Sequence, residues 1–292
     1  MIKLVISGGD SFTFGAELTA WPAAYNTPSP GSWAQLVANK LNANLYKHVN
    51  TARSGRSNSF IVRHVINTVH QALKHEYKRE EIFVQVMWTF VARQEIAVNC
   101  DTQRSDSPWF PIDPYVCEDE SKGDWFKKVL KDTKNWKESH DAMHERYLIN
   151  KDLGLVDYAK AYYRIVSDLH DTYTSLSEIL SLQELLDYNN IRYMFTYVNK
   201  HVMNGLIHPS GRDQSWDRIY PINISWTEKF TDSLCNFIKF DEWYKFPIDG
   251  KYVGFDDWAK FNKYEYATSH PLEKAHADAA ELIYDHISNI RW

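Results

Sequence analysis

Ser11 lies within Gly8-Gly9-Asp10-Ser11-Phe12-Thr13-Phe14-Gly15, directly after the apolar run Leu4-Val5-Ile6. A short apolar run bounded by glycines reads as a buried parallel strand, and open α/β sheets bind their ligands at the carboxyl ends of such strands. A serine in that place is a candidate nucleophile. Gly8 and Gly9 allow backbone angles closed to other residues, so the chain can turn sharply and present the hydroxyl beside free N–H groups. Gly, Asp and Ser are also ordinary turn residues, and the same stretch reads as a strand followed by a polar turn. His140 and His144, spaced i,i+4, share a helical face but lack the glutamate of an HExxH arrangement and a third ligand, so no metal is expected. Arg93 either orients a substrate oxygen or pairs with Glu95, and the ion pair is the favoured reading.

Two further stretches follow in order: Asn50-Thr51-Ala52-Arg53-Ser54-Gly55-Arg56-Ser57-Asn58, and Ser269-His270-Pro271 near the end of the chain. With GDSFTFG they resemble the blocks of the SGNH, or GDSL-type, esterase and lipase superfamily. The resemblance implies a three-layer α/β/α, flavodoxin-like fold with a mainly parallel sheet, and hydrolysis of an acyl ester without metal or organic cofactor. It carries Ser11 as nucleophile and as oxyanion donor through its N–H, Gly55 as a second backbone donor, and His270 as general base. The third block of the superfamily usually reads Gly-x-Asn-Asp, whereas this chain has Trp88-Thr89-Phe90-Val91, leaving Thr89 as a shorter hydroxyl donor. The superfamily's Asp-x-x-His is also altered, because Ala267 stands three residues before His270. Glu265 is the nearest upstream carboxylate to orient the imidazole; Asp256 and Asp257 are farther off, and a backbone carbonyl would serve as well. His276 shares its helix with an apolar face and is expected to be packed or to support the base. These variant blocks also look similar to SGNH-like proteins of tailed bacteriophages, which implies a host-surface polysaccharide as target and the host cytoplasm or the virion as location.

Several elements must bring these residues together. Trp33, Leu36, Val37 and Leu41 predict a helix capped by Ser32, residues 44–49 a weak second strand, and Phe60–Leu73 a helix with His64, His70 and His75 at exposed positions. Ile82–Thr89 is the clearest strand, residues 155–186 a long helix broken once, and Ile191–Val198 another strand. A helix is expected over 225–238, then an irregular aromatic segment, then a final helix with Pro271 in its first turn. The connection over 15–31 starts beside Ser11 and reads as part of the site's rim. Residues 99–150 interrupt the alternation and read as an insertion over the sheet's carboxyl edge. Its aromatics, Trp109 and Trp125 among them, form either ordinary core or a platform for sugar rings, so an O-acetylated carbohydrate is the expected ester.

The totals narrow the field further. A chain of 292 residues with 44% hydrophobic content can bury a full core, and one domain spanning 1–292 is expected. A net charge of -5 gives no footprint for nucleic acid, and no lysine run suggests a membrane surface. Partners are therefore small molecules or glycans. Cys100, Cys117 and Cys235 are odd in number and lack metal-ligand spacing, which argues against a disulfide framework. The first strand begins at once, without a signal-peptide pattern, and the chain reads as soluble. Two rival functions share these features: a carbohydrate-binding or structural virion protein that keeps the fold with weak catalysis, and an acyltransferase that differs only in the acceptor.

Overall fold

The computed structural model describes residues 2–18, 27–41, 47–75, 77–98, 109–112, 147–166, 168–207 and 229–290. Its centre is a parallel sheet of β1 (Leu4–Gly8), β2 (Lys47–Asn50), β3 (Ile82–Trp88) and β6 (Arg192–Tyr197) in the order β2-β1-β3-β6. This is the flavodoxin-like order, with a switch point between β1 and its two neighbours. Every residue of β1 and β3 is buried, as expected for strands covered on both faces. β2 lies at the edge and is only partly buried, which explains its weak signal; it begins at Lys47, and 44–46 fall outside the described residues.

Side chains alternate across a strand, so neighbours on β1 report which helix covers which face. On one face, a Cβ at Gly8 would come within 2.6 Å of Val65 on α3 (Asn58–Lys74), so only glycine lets that helix approach. On the other, Ser7 meets Gln85 of β3, whose amide donates to Ser7 Oγ at 2.7 Å and to the Ala34 carbonyl of α2 (Trp33–Leu41) at 2.8 Å. His48 closes this network, its Nε2 at 2.7 Å from Ser7 Oγ and its Nδ1 at 2.7 Å from Gln35 Oε1. These bonds satisfy the Gln85 amide N–H groups, while its Oε1 is buried without a partner among the described residues.

The chain is thus a three-layer α/β/α structure. α2 packs with the last helix on one face, and α3 with the helix Asp168–Tyr188 on the other. The helix expected over 155–186 is two: α4 (Leu155–Ile165) ends where Val166 turns extended, and α5 (Asp168–Tyr188) follows. α6 (Lys200–Ile207) and α7 (Lys229–Phe237) pack with α5. The aromatic segment expected to be irregular holds a hairpin, β7 (Phe246–Ile248) and β8 (Lys251–Val253), turned by Asp249 at φ 39° and Gly250 at φ 75°. Asp-Gly favours that two-residue turn because both positions need positive φ. α8 (Phe255–Phe261) follows. The last helix, α9, spans Glu273–Asn289, not the turn containing Pro271, which instead bridges to Tyr266.

Of the residues expected to form the insertion, 109–112 and 147–150 are described; Trp125, His140 and His144 lie outside the described residues. β4 (Gln94–Ala97) and β5 (Trp109–Ile112) pair antiparallel and share a small separate core with Leu155, Ala159 and Tyr163 of α4. The Tyr163 hydroxyl ties both ends, donating to the carbonyls of Ala92 at 2.9 Å and Ile112 at 3.0 Å. Among the described residues no helix is long and apolar enough to cross a membrane.

Burial lowers the His48 pKa to about 4 and the His276 pKa to about 3, from 6.5. In that window the unfolded chain binds protons that the folded chain refuses, so stability is full above the unfolded value and is lost as pH falls toward 4. Thermal melts read by circular dichroism should therefore show a falling Tm between about pH 7 and pH 5, with a shallower slope in His48→Gln. A Tm that is level across that range in the wild type counts against buried neutral histidines.

Candidate active site

β1 ends at Gly8, and the chain turns into α1 (Ser11–Phe14), a single helical turn whose first residue is Ser11. Gly9 sits at φ 157°, where a Cβ would collide with Thr13. Asp10 caps the turn: its Oδ1 accepts the Phe12 N–H at 3.1 Å. The Ser11 N–H, opening the helix, has no acceptor within it. The loop after β2 leans on the same turn, with the Arg53 N–H donating to the Gly9 carbonyl at 3.4 Å and Asn50 Nδ2 to the Thr13 carbonyl at 3.2 Å. Gly55, at φ 72°, lies in that loop.

From the far end of the chain comes His270. Its Nε2 lies 2.7 Å from Ser11 Oγ, and its ring packs at a centroid distance of 4.7 Å on Phe12. A tight loop presents it: the Ala267 N–H donates to the His270 carbonyl, the Leu272 N–H to the Glu265 carbonyl, and Tyr266 bridges to Pro271. His270 thus precedes α9, which begins at Glu273.

The carboxylate facing His270 is Glu17. Its Oε2 lies 3.1 Å from His270 Nδ1 and also accepts the backbone N–H groups of Thr268, Ser269 and His270 at 3.1, 3.0 and 3.1 Å. Ser269 Oγ also lies 3.0 Å from Nδ1. Burial alone would raise the Glu17 pKa, but the hydrogen bonds from the His270 ring and the two backbone N–H groups of Ser269 and His270 outweigh it and hold the carboxyl below its ordinary value. Glu17 has φ 65°, a left-handed backbone that a non-glycine residue adopts only when its surroundings enforce it. With Nδ1–H directed at Glu17, Nε2 is left as the acceptor for the Ser11 hydroxyl.

Glu265, expected first among side chains to orient His270, is exposed, and Glu17 stands where that acid was sought. Asp256 instead accepts the Tyr266 hydroxyl at 3.0 Å and pairs with Lys260 at 2.7 Å, while Asp257 accepts the Lys200 N–H. Thr89, expected as an oxyanion donor, has both donors committed: its hydroxyl donates to Asp10 Oδ2 at 2.7 Å and its N–H to Asn58 Oδ1 at 3.0 Å. Arg93 pairs with Asp10 Oδ2 at 2.7 Å rather than with Glu95, whose buried carboxylate takes Arg63 at 2.6 Å and Arg56 at 3.4 Å. His276 lies within α9, its Nδ1 accepting the Trp33 N–H at 3.0 Å, so it holds the start of α2. Trp109 stacks over the Arg63 guanidinium at 4.0 Å. His64, expected to be exposed, is half-buried and stacks on Phe60 at 4.0 Å.

Glu17 is not legible as this acid from the sequence because it lies 253 positions from His270, whereas Asp256, Asp257 and Glu265 lie shortly before it. The available signal was a carboxylate near the start of the loop already assigned to the rim of the Ser11 site. Among the described residues no group of histidine, cysteine and acidic side chains is placed to hold a metal.

No protein-family model and no curated protein matches the chain. Among solved structures, the psychrotrophic esterase EstA from Pseudoalteromonas sp. aligns over 98% of this chain and 97% of its own at 11% identity and a TM-score of 0.40. A lipolytic protein of the G-D-S-L family from Veillonella parvula aligns over 99% and 100% at 10% identity and 0.39. Est24, a carbohydrate acetylesterase from Sinorhizobium meliloti, aligns over 98% of each chain at 11% identity and 0.37. The fold of this chain rests on its own sheet order and layers.

The Asp10–Arg93 pair is nearly dry, with side-chain exposures of 0% and 16%. Asp10→Asn keeps the cap on α1 but leaves a buried guanidinium without a counter-charge, which should cost about 3–5 kcal/mol in urea unfolding. A loss below about 1 kcal/mol would mean that Arg93 swings into water at little cost.

Proposed function

We propose that this protein is a serine ester hydrolase in which Ser11, His270 and Glu17 act as a catalytic triad. The observation that carries the reading is the 2.7 Å contact from Ser11 Oγ to His270 Nε2, with Glu17 at the opposite nitrogen. Ser11 Oγ attacks the ester carbonyl carbon as its proton passes to Nε2, and the carbonyl oxygen takes the negative charge. The N–H groups of Ser11 and Gly55 receive that charge. Collapse of the tetrahedral intermediate expels the alcohol, which takes the proton from Nε2, and leaves an acyl-serine. Water then attacks the acyl carbon, giving its proton to His270 Nε2, and collapse of the second intermediate releases the acid as Nε2 returns that proton to Ser11 Oγ. Glu17 keeps the imidazole in the productive tautomer and balances its positive charge during both steps.

An O-acetylated carbohydrate is the substrate this reading favours, on the strength of the aromatic residues following β4. The alternative, a carbohydrate-binding or structural virion protein with the same fold, draws on one observation: both donors of Thr89 are spent on Asp10 and Asn58. Loss of one oxyanion donor typically lowers turnover by about 10²–10³, so modest activity is expected even if the triad is intact.

A fluorophosphonate probe should label the wild type and not Ser11→Ala. Hydrolysis of 4-nitrophenyl acetate should disappear in His270→Ala and fall by about 10²–10⁴ in Glu17→Gln, while Glu265→Gln stays near wild type. Equal labelling of wild type and Ser11→Ala would remove the nucleophile from the proposal. Full activity in Glu17→Gln with a dead His270→Ala would leave a dyad and dismiss the acid.

A further inference from the structure

Three of the arginines grouped near the carboxyl edge of the sheet have a carboxylate partner. Arg93 pairs with Asp10, and Arg56 and Arg63 share Glu95. Arg53 differs. It is half-buried, its Nη1 reaches only the carbonyl of its neighbour Ala52 at 3.4 Å, and its guanidinium lies 5.9 Å from the Phe14 ring of α1. Among the described residues no carboxylate pairs with it. A partly desolvated guanidinium without a counter-ion is costly to keep, and its rigid fork is shaped to take a carboxylate through two parallel hydrogen bonds.

Its location gives the charge a use. Arg53 donates its N–H to the Gly9 carbonyl, two residues before Ser11, and precedes Gly55 by two residues in the loop that rims the candidate site. We propose that Arg53 anchors an anionic group of the substrate, so that the ester cleaved at Ser11 is carried by an acidic molecule, a hydroxy acid or an acidic carbohydrate. The assignment rests on the ester-hydrolase reading for its reaction, but its binding claim stands on the unpaired charge. One guanidinium balances one unit of charge, which fits a carboxylate better than a phosphate dianion. Arg53 also acts on its surroundings: after burial, which is the larger cause, it joins Arg63 and Arg56 in lowering the His64 pKa to about 4.

The test uses a matched pair of probes, 4-acetoxybenzoate and the uncharged 4-acetoxybenzamide, which carry the same acetyl group on rings of similar shape. The wild type should favour the carboxylate in kcat/KM by about tenfold to a hundredfold, the range of a hydrogen bond to a charged group. Arg53→Gln should bring that ratio close to one, and Arg53→Lys should restore part of it, which a merely structural role would not do. Binding is read separately by calorimetry on Ser11→Ala, where no turnover intervenes. That protein should hold 4-acetoxybenzoate more tightly than the amide, the difference should shrink in high salt, and Ser11→Ala combined with Arg53→Gln should abolish it. Equal binding of both probes by Ser11→Ala overturns the anchor. Selective binding of the carboxylate by a wild type that hydrolyses neither probe supports the anchor and overturns the hydrolase reading instead.

Discussion

One carboxylate oxygen, Glu17 Oε2, accepts three consecutive backbone N–H groups from residues 268–270 and faces the His270 ring as well. Successive N–H groups converging on one point form a small anion-binding nest, and here the anion is supplied by the chain itself. The contact joins the loop after α1 to the loop before α9, two segments some 250 positions apart in sequence. It fixes the histidine loop in space and the imidazole in rotation at the same time. The left-handed backbone at Glu17 is consistent with that double duty, since strain of this kind persists where several contacts define one conformation.

Behind the serine, Asp10 braces the opposite side. It caps α1, accepts the Thr89 hydroxyl and neutralises Arg93, so the turn bearing Ser11 is tied to the end of β3. The brace has a chemical consequence. Thr89 was expected as an oxyanion donor, yet its hydroxyl hydrogen is directed inward to a buried carboxylate. Bracing the turn that bears Ser11 therefore takes up the donors Thr89 could otherwise offer a ligand.

Charge accounting separates structural from available groups at this edge. Arg93, Arg56 and Arg63 are tied to buried carboxylates, and Trp109 lies over the last of them, so these side chains hold the rim together. Arg53, beside the turn that bears Ser11, has no carboxylate partner among the described residues. The histidines divide likewise: His48 and His276 are kept neutral by burial and serve as hydrogen-bonding pieces of the scaffold, while His270 stands at the mouth of the site.

From the sequence alone came the strands of the central sheet and the candidate pair Ser11 and His270, but not the two small hairpins. Leu4–Ile6 and Ile82–Thr89 were readable as strands because strands buried on both faces are apolar nearly throughout. Ser11 was singled out by its place after the first of them, and Gly55 and His270 only by the resemblance of their blocks. The β7–β8 hairpin was not read from the sequence, because its three-residue strands are too short to show alternation among aromatics that serve the core. Only the tertiary structure decided that Glu17 and not Glu265 faces the His270 ring, that Asp10 and not Glu95 pairs with Arg93, and that the Thr89 hydroxyl turns inward. The physical reason is the same in each case. A hydrogen bond or ion pair is chosen by distance and direction between side chains from different elements, and periodicity along the chain carries no record of which loops will meet.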